Sequence, residues 1–476
     1  MTHLLIEEIK ENWKLEAKSE NTERYFYHVD EVSKILAGKR SYVIGRKGTG
    51  KTAISEHIAN IKNHSTFSEK LSFKNFPFND LYHLENNGYT APNQYITIWK
   101  YIIYSFVCKM MSRNAAISDD VALILKELYA PDPVKSLHKW IKRWTAKDFE
   151  LSILGSGGKL GLQEINQSAT WIEKVDILEE VIAKYADNST YYIIFDELDE
   201  DYKNVLDAVK FGNYTELLTG LFKAVQDVKA VFKDENFNMF PIIFLRDDIY
   251  SLIADPDKTK WDDYKIELDW DKQKIQKLLA FRISKAIDPN GKILTFENAW
   301  KSLFINKPVM SGHQQKDSVA IFDFIFSNTH IRPRDFIKYL HACADANEAK
   351  YSLIHPSVVK MVGKQFSNYL KRELEDEIQG FIPHIKIVLD VISQVRKQTF
   401  SINEFRLAFK EKFKDGSSKD FDADFVLKVL FLFSVIGNQP KQKNQTVFRF
   451  SNKEAELNFS EPLIVHRGLF KALQIL

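Results

Sequence analysis

A glycine-rich loop close to the start of the chain constrains the fold more than any other sequence feature. The segment from Gly45 to Thr52 is Gly-Arg-Lys-Gly-Thr-Gly-Lys-Thr; apolar Ser41–Ile44 precedes it, and Ile54 and Ile58 follow it at helical spacing. A glycine-rich turn between a strand and a helix presents backbone N–H groups at the helix N-terminus, where anions bind. The segment fits the pattern Gly-x-x-x-x-Gly-Lys-Ser/Thr in full, so the sequence predicts a phosphate-binding loop.

The polar residues of this loop indicate ATP and Mg²⁺ as ligands. Lys51 is expected to neutralise the β- and γ-phosphates, and the Thr52 hydroxyl is expected to ligate Mg²⁺. A glycine turn without a ligand is the alternative, which the flanking strand and helix disfavour. The predicted nucleotide-contacting residues are Gly45, Arg46, Lys47, Gly48, Thr49, Gly50, Lys51, Thr52 and Ala53.

A second apolar strand, Tyr191–Phe195, ends in the acidic pair Asp196 and Glu197. Carboxylates at the carboxyl end of a buried strand suit a water-mediated Mg²⁺ contact by Asp196. Glu197 is then expected to polarise the attacking water as general base or positioner. A solvated acidic strand end is the alternative, because residues 199–201 are also acidic.

Three arginines are candidates for sensing a bound phosphate. Arg246 follows a third apolar strand, Pro241–Leu245, and so falls at the same end of the sheet. Arg332 and Arg334 flank Pro333, which presets a helix start and places an arginine on the first turn. A helix-borne arginine reaching back to the phosphates would close a lid over ATP. Ion pairs with neighbouring aspartates are the alternative for all three.

The order of elements predicts a P-loop α/β core with a parallel sheet and helices on both faces. A helical insertion with a hairpin at Leu151–Leu162 interrupts the alternation at about 113–170. A helical lid follows, and then three helices and the strand-like segment Thr446–Phe450, an order typical of a winged helix. The expected divisions are an N-terminal segment 1–22, the core 23–266, the lid 267–376 and the winged helix 377–476.

Charge restricts any nucleic-acid surface to a local patch. The 66 basic and 64 acidic side chains nearly cancel, so no global field attracts an anion. Residues 381–476 hold 15 basic and 10 acidic side chains, and the wing contributes Lys441, Lys443 and Arg449. This modest excess fits duplex DNA, but winged helices also dock proteins, and both partners stay open.

Cysteine and apolar content indicate a cytoplasmic chain without a membrane partner. Cys108 and Cys343 lie far apart, which excludes a disulfide framework and a cysteine-based zinc site. The longest apolar run, Phe425–Ile436, is too short to cross a bilayer and contains Lys428. The sequence Gly-Ser-Gly-Gly at 155–158 suggests an ABC signature, but its flanks alternate like strands.

Taken together, these motifs resemble the AAA+/STAND branch of P-loop ATPases. The segments GRKGTGKT, YYIIFDELDE, IIFLRDDIY, IELDWDKQKIQKLLAFRI and HIRPRDFIKYL carry the resemblance, which spans about residues 25–470. It is greatest to bacterial ATPases similar to origin initiators and found among defence and mobile-element genes. The resemblance implies that Arg246 is a sensor-1 arginine and Arg334 the sensor-2 arginine of the lid, with Arg332 a second candidate.

The resemblance also implies a function. It favours a slow, regulated ATPase that serves as the switch or sensor subunit of a defence system and acts on a protein effector. The alternative is an initiator-like ATPase that acts on duplex DNA through its winged helix. The paired acids and the large C-terminal half disfavour a small-molecule kinase.

The interval from Lys51 to Asp196 is long for a simple AAA+ module, and no arginine finger is evident. A hexameric motor is therefore not expected, while a homo-oligomer stays open.

Overall fold

The computed structural model describes residues 2–61, 63–73, 81, 93–129, 170–201, 208–233, 238–312, 316–348, 351–414, 422–440 and 445–475. The predicted hairpin at Leu151–Leu162, the segment 155–158 and the wing lysines Lys441 and Lys443 lie outside the described residues.

A five-stranded parallel sheet places the predicted motifs at one edge. Its strands are β1 (Tyr42–Ile44), β2 (Thr66–Ser72), β3 (Thr190–Asp196), β4 (Asn238–Leu245) and β5 (Lys265–Glu267). The spatial order is β2-β3-β4-β1-β5, and all the pairs are parallel. The glycine-rich loop after β1 and the acids ending β3 therefore lie at the same carboxyl edge, with β4 between their strands. Strand β5 was not predicted.

Helices cover both faces of this sheet, as predicted. Alternate strand residues point to opposite faces. Ile194 and Ile242 pack with α3 and α4, whereas Ile193 and Ile243 belong to the large core cluster on the other face. The helices of this half are α1 (Thr2–Asn12), α2 (Thr22–Tyr25), α3 (Asp30–Leu36), α4 (Lys51–Ala59), α5 (Ile96–Met111), α6 (Asp119–Leu128), α7 (Trp171–Tyr185), α8 (Ala208–Val231) and α9 (Asp247–Leu252).

A helical region follows the sheet and carries the predicted lid arginines. Its helices are α10 (Lys272–Ile287), α11 (Phe296–Lys301), α12 (Ile321–Ser327), α13 (Pro333–Ala346), α14 (Pro356–Met361) and α15 (Gly363–Ile378). A short antiparallel pair, β6 (Val309–Ser311) and β7 (Asp317–Val319), interrupts them. Pro333 occupies the first turn of α13, where its missing N–H costs nothing. Helix α1 packs against α10 and α13, so the N-terminal segment is bound to this region.

The C-terminal unit has the three predicted helices and a small antiparallel sheet. The elements are α16 (Ile385–Val395), β8 (Thr399–Phe400), α17 (Ile402–Lys412), α18 (Ala423–Leu432), β9 (Ile436–Asn438) and β10 (Leu463–Val465), with sheet order β8-β10-β9. The prediction of a strand at Thr446–Phe450 was wrong. Only Val447 bridges to Asn438, because the Phe448 carbonyl accepts the N–H groups of Ser451 and Asn452 and closes a turn.

Both cysteines are buried within helices of the molecule. Burial raises the pKa of Cys108 in α5 to about 12, and it raises the pKa of Cys343 in α13 as well. Across the described residues, no helix combines the length and the apolar character needed to cross a membrane.

Candidate functional site

The glycine-rich loop adopts a conformation that only glycine enters freely. Gly48 and Gly50 have φ of 82° and 100°, in the left-handed region. Helix α4 begins at Lys51, and no side chain caps its N-terminus. The N–H groups of its first turn therefore have no partner within the helix and are available to an anion.

A cavity of about 340 Å³ opens in front of this loop. Its size lies within the range of small-molecule sites. We call it the front cavity. Residues of the N-terminal segment form one wall of it. Nine of the predicted site residues other than glycine line it, namely Lys47, Thr49, Lys51, Thr52, Ala53, Asp196, Glu197, Arg246 and Arg334. Arg332 does not line it.

Lys51 is folded back onto its own loop. Its Nζ donates to the carbonyl oxygens of Gly45 and Arg46 at 2.6 and 3.0 Å. Burial lowers the pKa of Lys51, against the opposing effect of the Asp199 and Asp247 carboxylates. A buried ammonium bonded only to neutral carbonyls would gain a stronger, charge-assisted partner in a phosphate.

Asp196 is buried at the end of β3 and already has several partners. Its Oδ2 accepts a 2.6 Å bond from Ser55 and lies 2.9 Å from Lys70 Nζ, while its Oδ1 accepts the Glu197 N–H at 3.0 Å. Burial alone would lower the pKa of Lys70, but the Asp196 carboxylate outweighs burial and raises it. Sequence reasoning missed Lys70; its signal is the position on β2 opposite Ile194, two residues before Asp196.

Glu197 is held by two groups that sequence reasoning also missed. Its backbone has φ of 60°, a left-handed value that is uncommon outside glycine. Both carboxylate oxygens lie 2.8 Å from Lys18 Nζ, and Oε2 also accepts the Ser72 hydroxyl. Ser72 is aligned with Asp196 across β2 and β3, so its place follows from strand register.

Arg246 and Arg334 both reach the front cavity but are paired differently. Arg246 donates to Asp248 at 3.0 and 2.6 Å; burial would lower its pKa, yet the Asp248 carboxylate raises it well above its usual value. Arg334 is 28% exposed and meets Glu373 only at 3.5 Å. Its backbone N–H donates to the Gly48 carbonyl, so α13 begins directly against the loop.

Arg332 lies behind the loop instead. Its guanidinium donates to Asp335 at 3.0–3.2 Å and to Glu377 at 2.8 Å, and all three side chains are buried. It also donates to the Lys47 carbonyl at 3.3 Å. The alternative for this motif was an ion pair with Asp335 at the surface; Arg332 does pair with Asp335, but both side chains are buried.

A second cavity of about 380 Å³ lies behind the loop, between the core and the C-terminal unit. We call it the rear cavity. Arg46 donates to the His330 carbonyl at 2.8 Å and lies over the Phe450 ring, which stacks on His330. Arg449 lines this cavity and donates to the Ala455 carbonyl at 3.2 Å. The predicted wing arginine therefore faces the core.

The strand order is β2-β3-β4-β1-β5, with the glycine-rich loop after β1 and the acidic pair after β3. The chain has the α/β fold of a P-loop core, a parallel sheet with helices on both faces. Residues 273–375 match a family model described as the FunZ-associated C-terminal helical domain, and this interval lies within α10–α15.

Among solved structures, the chain is similar to the crystal structure of Cdc6p from Pyrobaculum aerophilum. The identity is 11% and the TM-score is 0.33, over 95% of this chain and 96% of that one. A search of curated proteins finds no match. The chemistry of the site therefore rests on its own residues.

Proposed function

We propose that this chain binds and slowly hydrolyses ATP and uses the nucleotide state as a regulatory switch. The observation that carries the proposal is the convergence of Lys51, Thr52, Asp196 and Glu197 on one cavity at a helix N-terminus. A phosphate-neutralising ammonium, a hydroxyl and two carboxylates at this edge of a parallel sheet form the set that phosphoanhydride hydrolysis uses.

The residues fit ATP with Mg²⁺. Thr52 and Asp196 both line the front cavity and would hold the metal, which supplies neutralisation of phosphate charge when bound. Both Asp196 oxygens already accept hydrogen bonds, which favours the water-mediated contact expected from the sequence. The phosphates of ATP would replace the loop carbonyls as the partners of Lys51.

Three further side chains would act on the bound nucleotide. Glu197 would orient the attacking water and accept its proton. Arg334 has a long ion pair and a place on the first turn of α13, so it can exchange Glu373 for a phosphate as the lid closes. Arg246 is held by Asp248 near the same cavity and would stabilise charge that develops during hydrolysis.

The switch is proposed to act on a protein effector within a defence system. The match of residues 273–375 to a domain described as FunZ-associated supports a role beside a partner protein. The position of Arg449 in the rear cavity weighs against duplex DNA as the principal partner. The contact of Arg46 in the loop with the Phe450 ring gives nucleotide binding a route to the C-terminal unit.

The test compares the wild-type chain with Lys51→Ala and Glu197→Gln. Lys51→Ala should lower ATP affinity by roughly 10²-fold or more, because it removes the charge that faces the phosphates. Glu197→Gln should bind ATP like the wild type and hydrolyse it roughly 10²-fold more slowly. Calorimetric titration and single-turnover hydrolysis measure the two effects.

Lys39→Ala is the matched control, because Lys39 is exposed and close to the same strand. It should leave both affinity and turnover at wild-type values. Equal ATP affinity in the wild type and Lys51→Ala would remove the loop from nucleotide binding and overturn the proposal.

A further inference from the structure

The N-terminal segment reaches across the front cavity to the proposed water-positioning carboxylate. Lys18 lies in a single 3-10 turn, Ala17–Ser19, and its ammonium bridges both oxygens of Glu197 at 2.8 Å. The Ser72 hydroxyl donates to one of the same oxygens. Glu197 is therefore bound on its functional atoms by a residue 179 positions away in sequence.

This contact opposes the role proposed for Glu197. A carboxylate orients water through its lone pairs and takes a proton in proportion to its basicity. An ammonium bonded to both oxygens occupies the lone pairs that would hold a water molecule or accept its proton, so it opposes both tasks. The backbone of Glu197 is left-handed, a conformation that costs a non-glycine residue some strain.

The segment that carries Lys18 is fastened to the helical lid. We define residues 13–29 as the strap. Trp13 is buried beneath the Arg282 guanidinium, and Glu20 accepts from Arg282 of α10 at 2.5 and 3.0 Å. Arg24 donates to the Lys285 carbonyl at 3.0 Å, at the end of the same helix. The 3-10 turn that carries Lys18 also packs against α4. The strap therefore connects α10 to α4, and a movement of α10 relative to the sheet would strain the contact that Lys18 makes.

We propose that Lys18 is a positioning residue that restrains Glu197 and couples its release to lid movement. The inference rests on the proposed ATPase function and adds an intramolecular regulator to it. With the strap seated, Glu197 is paired and hydrolysis is slow. Displacement of the strap, by nucleotide-driven lid movement or by a partner that binds residues 13–29, frees the carboxylate to orient water.

The experiment uses the full chain with Lys18→Met, Lys18→Arg and Lys10→Met. Lys18→Met keeps the length of the side chain and removes the charge, so kcat for ATP hydrolysis should rise on the order of fivefold, while ATP Kd stays within about twofold. Lys18→Arg preserves the ion pair and should hydrolyse at the wild-type rate. Lys10 pairs only with Glu7 among the described ion pairs, and its variant should also match the wild type.

A double variant separates restraint from a general effect on the fold. In the Glu197→Gln background the carboxylate is absent, so Lys18→Met should no longer change the hydrolysis rate. Without nucleotide, Lys18→Met and Glu197→Gln should each increase the rate of amide hydrogen exchange in residues 14–20. The exchange rate of the double variant should be no higher than that of either single variant.

The outcomes distinguish the two proposals. Wild-type protein that fails to bind ATP would overturn the proposed function and the restraint together. Wild-type protein that binds and hydrolyses ATP, with kcat of Lys18→Met equal to or below its own, would overturn the restraint alone. An unchanged exchange rate at residues 14–20 in both single variants would also overturn it.

Discussion

The two sides of the phosphate loop differ in how their charges are paired. Behind the loop, Arg332 makes short bonds to Asp335 and Glu377, and all of these charges are buried. In front of it, Lys51 is bonded to neutral carbonyls, and Arg334 meets Glu373 only at 3.5 Å. The charges behind the loop are paired with each other, whereas Lys51 and Arg334 in front of it can change partners at little cost. The loop thus separates a buried set of paired charges from a cavity in which Lys51 and Arg334 can pair with an anion.

The loop itself is supported from outside before any ligand arrives. The carbonyls of Lys47, Gly48 and Thr49 accept from Arg332, the Arg334 N–H and the Trp270 indole respectively. All three donors come from the region after β5. The region after β5 therefore supports the geometry of the glycine-rich loop, which would reduce the reorganisation that the proposed ATP binding requires.

The largest effect should come from removing the buried positive charge behind the loop. Arg332→Gln would leave Asp335 and Glu377 buried without their shared partner, so unfolding should become easier by about 3–5 kcal/mol. Burial would lower the pKa of Arg332, but Asp335 and Glu377 outweigh it and raise that pKa, which agrees with a strongly favoured charge. The midpoint of urea unfolding measures the loss. Arg334→Gln, two residues away, is the control, and an equal shift in both variants would contradict the comparison.

The next largest effect concerns the stability of the protein in acid. It depends on two buried histidines, His330 in the rear cavity and His466 next to it. Burial lowers the pKa of His466 to about 3, with help from Arg332, and it also lowers the pKa of the adjoining His330. The unfolded chain takes up protons near pH 6.5 while the folded chain does not. The stability contributed by neutral His466 is therefore complete above pH 6.5 and falls as the pH drops toward 3.

At pH 5.5 this loss should be about 1.4 kcal/mol for His466 alone. Urea midpoints at pH 7.5 and 5.5 test it, because His466→Asn removes one titrating group and should reduce the difference between them. A pH difference that is identical in the wild type and His466→Asn would show that His466 ionises equally in both states.

A smaller effect is expected on the front side. Arg334→Ala should weaken ATP binding by about three- to tenfold, because one charged contact to phosphate is lost. Unfolding should change by less than about 1 kcal/mol, because the ion pair with Glu373 is long and partly exposed. Glu373→Gln provides the opposite test, since it frees Arg334 and should not weaken binding. Tighter binding by Arg334→Ala than by the wild type would remove this arginine from the site.

The smallest effect should be that of the wing arginine on any affinity for duplex DNA. Each phosphate contact contributes about −0.9 to the slope of log affinity against log salt. Arg449 faces the rear cavity, so Arg449→Ala should leave the slope unchanged. Replacing Lys441 or Lys443 should reduce it by about 0.9 if that lysine contacts a phosphate. Gel-shift titrations at several salt concentrations measure the slope, and a reduction near 0.9 for Arg449→Ala would contradict its placement.

These differences explain how far the sequence could predict the site. The loop was recognisable because its pattern places particular residues in a row, and Gly48 and Gly50 take left-handed conformations that glycine enters freely. Arg332 and Arg334 looked equivalent, because both flank Pro333 at one helix start. What separates them is Glu377, which is 45 residues from Arg332 and comes near it only through the packing of α13 on α15.

The limit of sequence prediction lies in contacts that depend on tertiary structure. The alternation of short apolar strands with helices predicted the parallel core with helices on both faces, because a strand that buries both of its faces is a continuous apolar run. Strand β5 has only three residues, so it carries no periodicity, and it is defined by pairing with β1. Lys18 and Glu197 are likewise joined only by the path of the strap, which no local pattern encodes.

The two buried thiols make the chain convenient for site-directed spectroscopy. Cys108 and Cys343 are the only cysteines, and both have raised pKa values within helices, so they should react slowly with alkylating reagents. A cysteine introduced on the strap or on the lid would therefore take up a fluorophore or a spin label selectively. Paired labels could then follow the distance between strap and sheet through a nucleotide cycle, without prior removal of any native thiol.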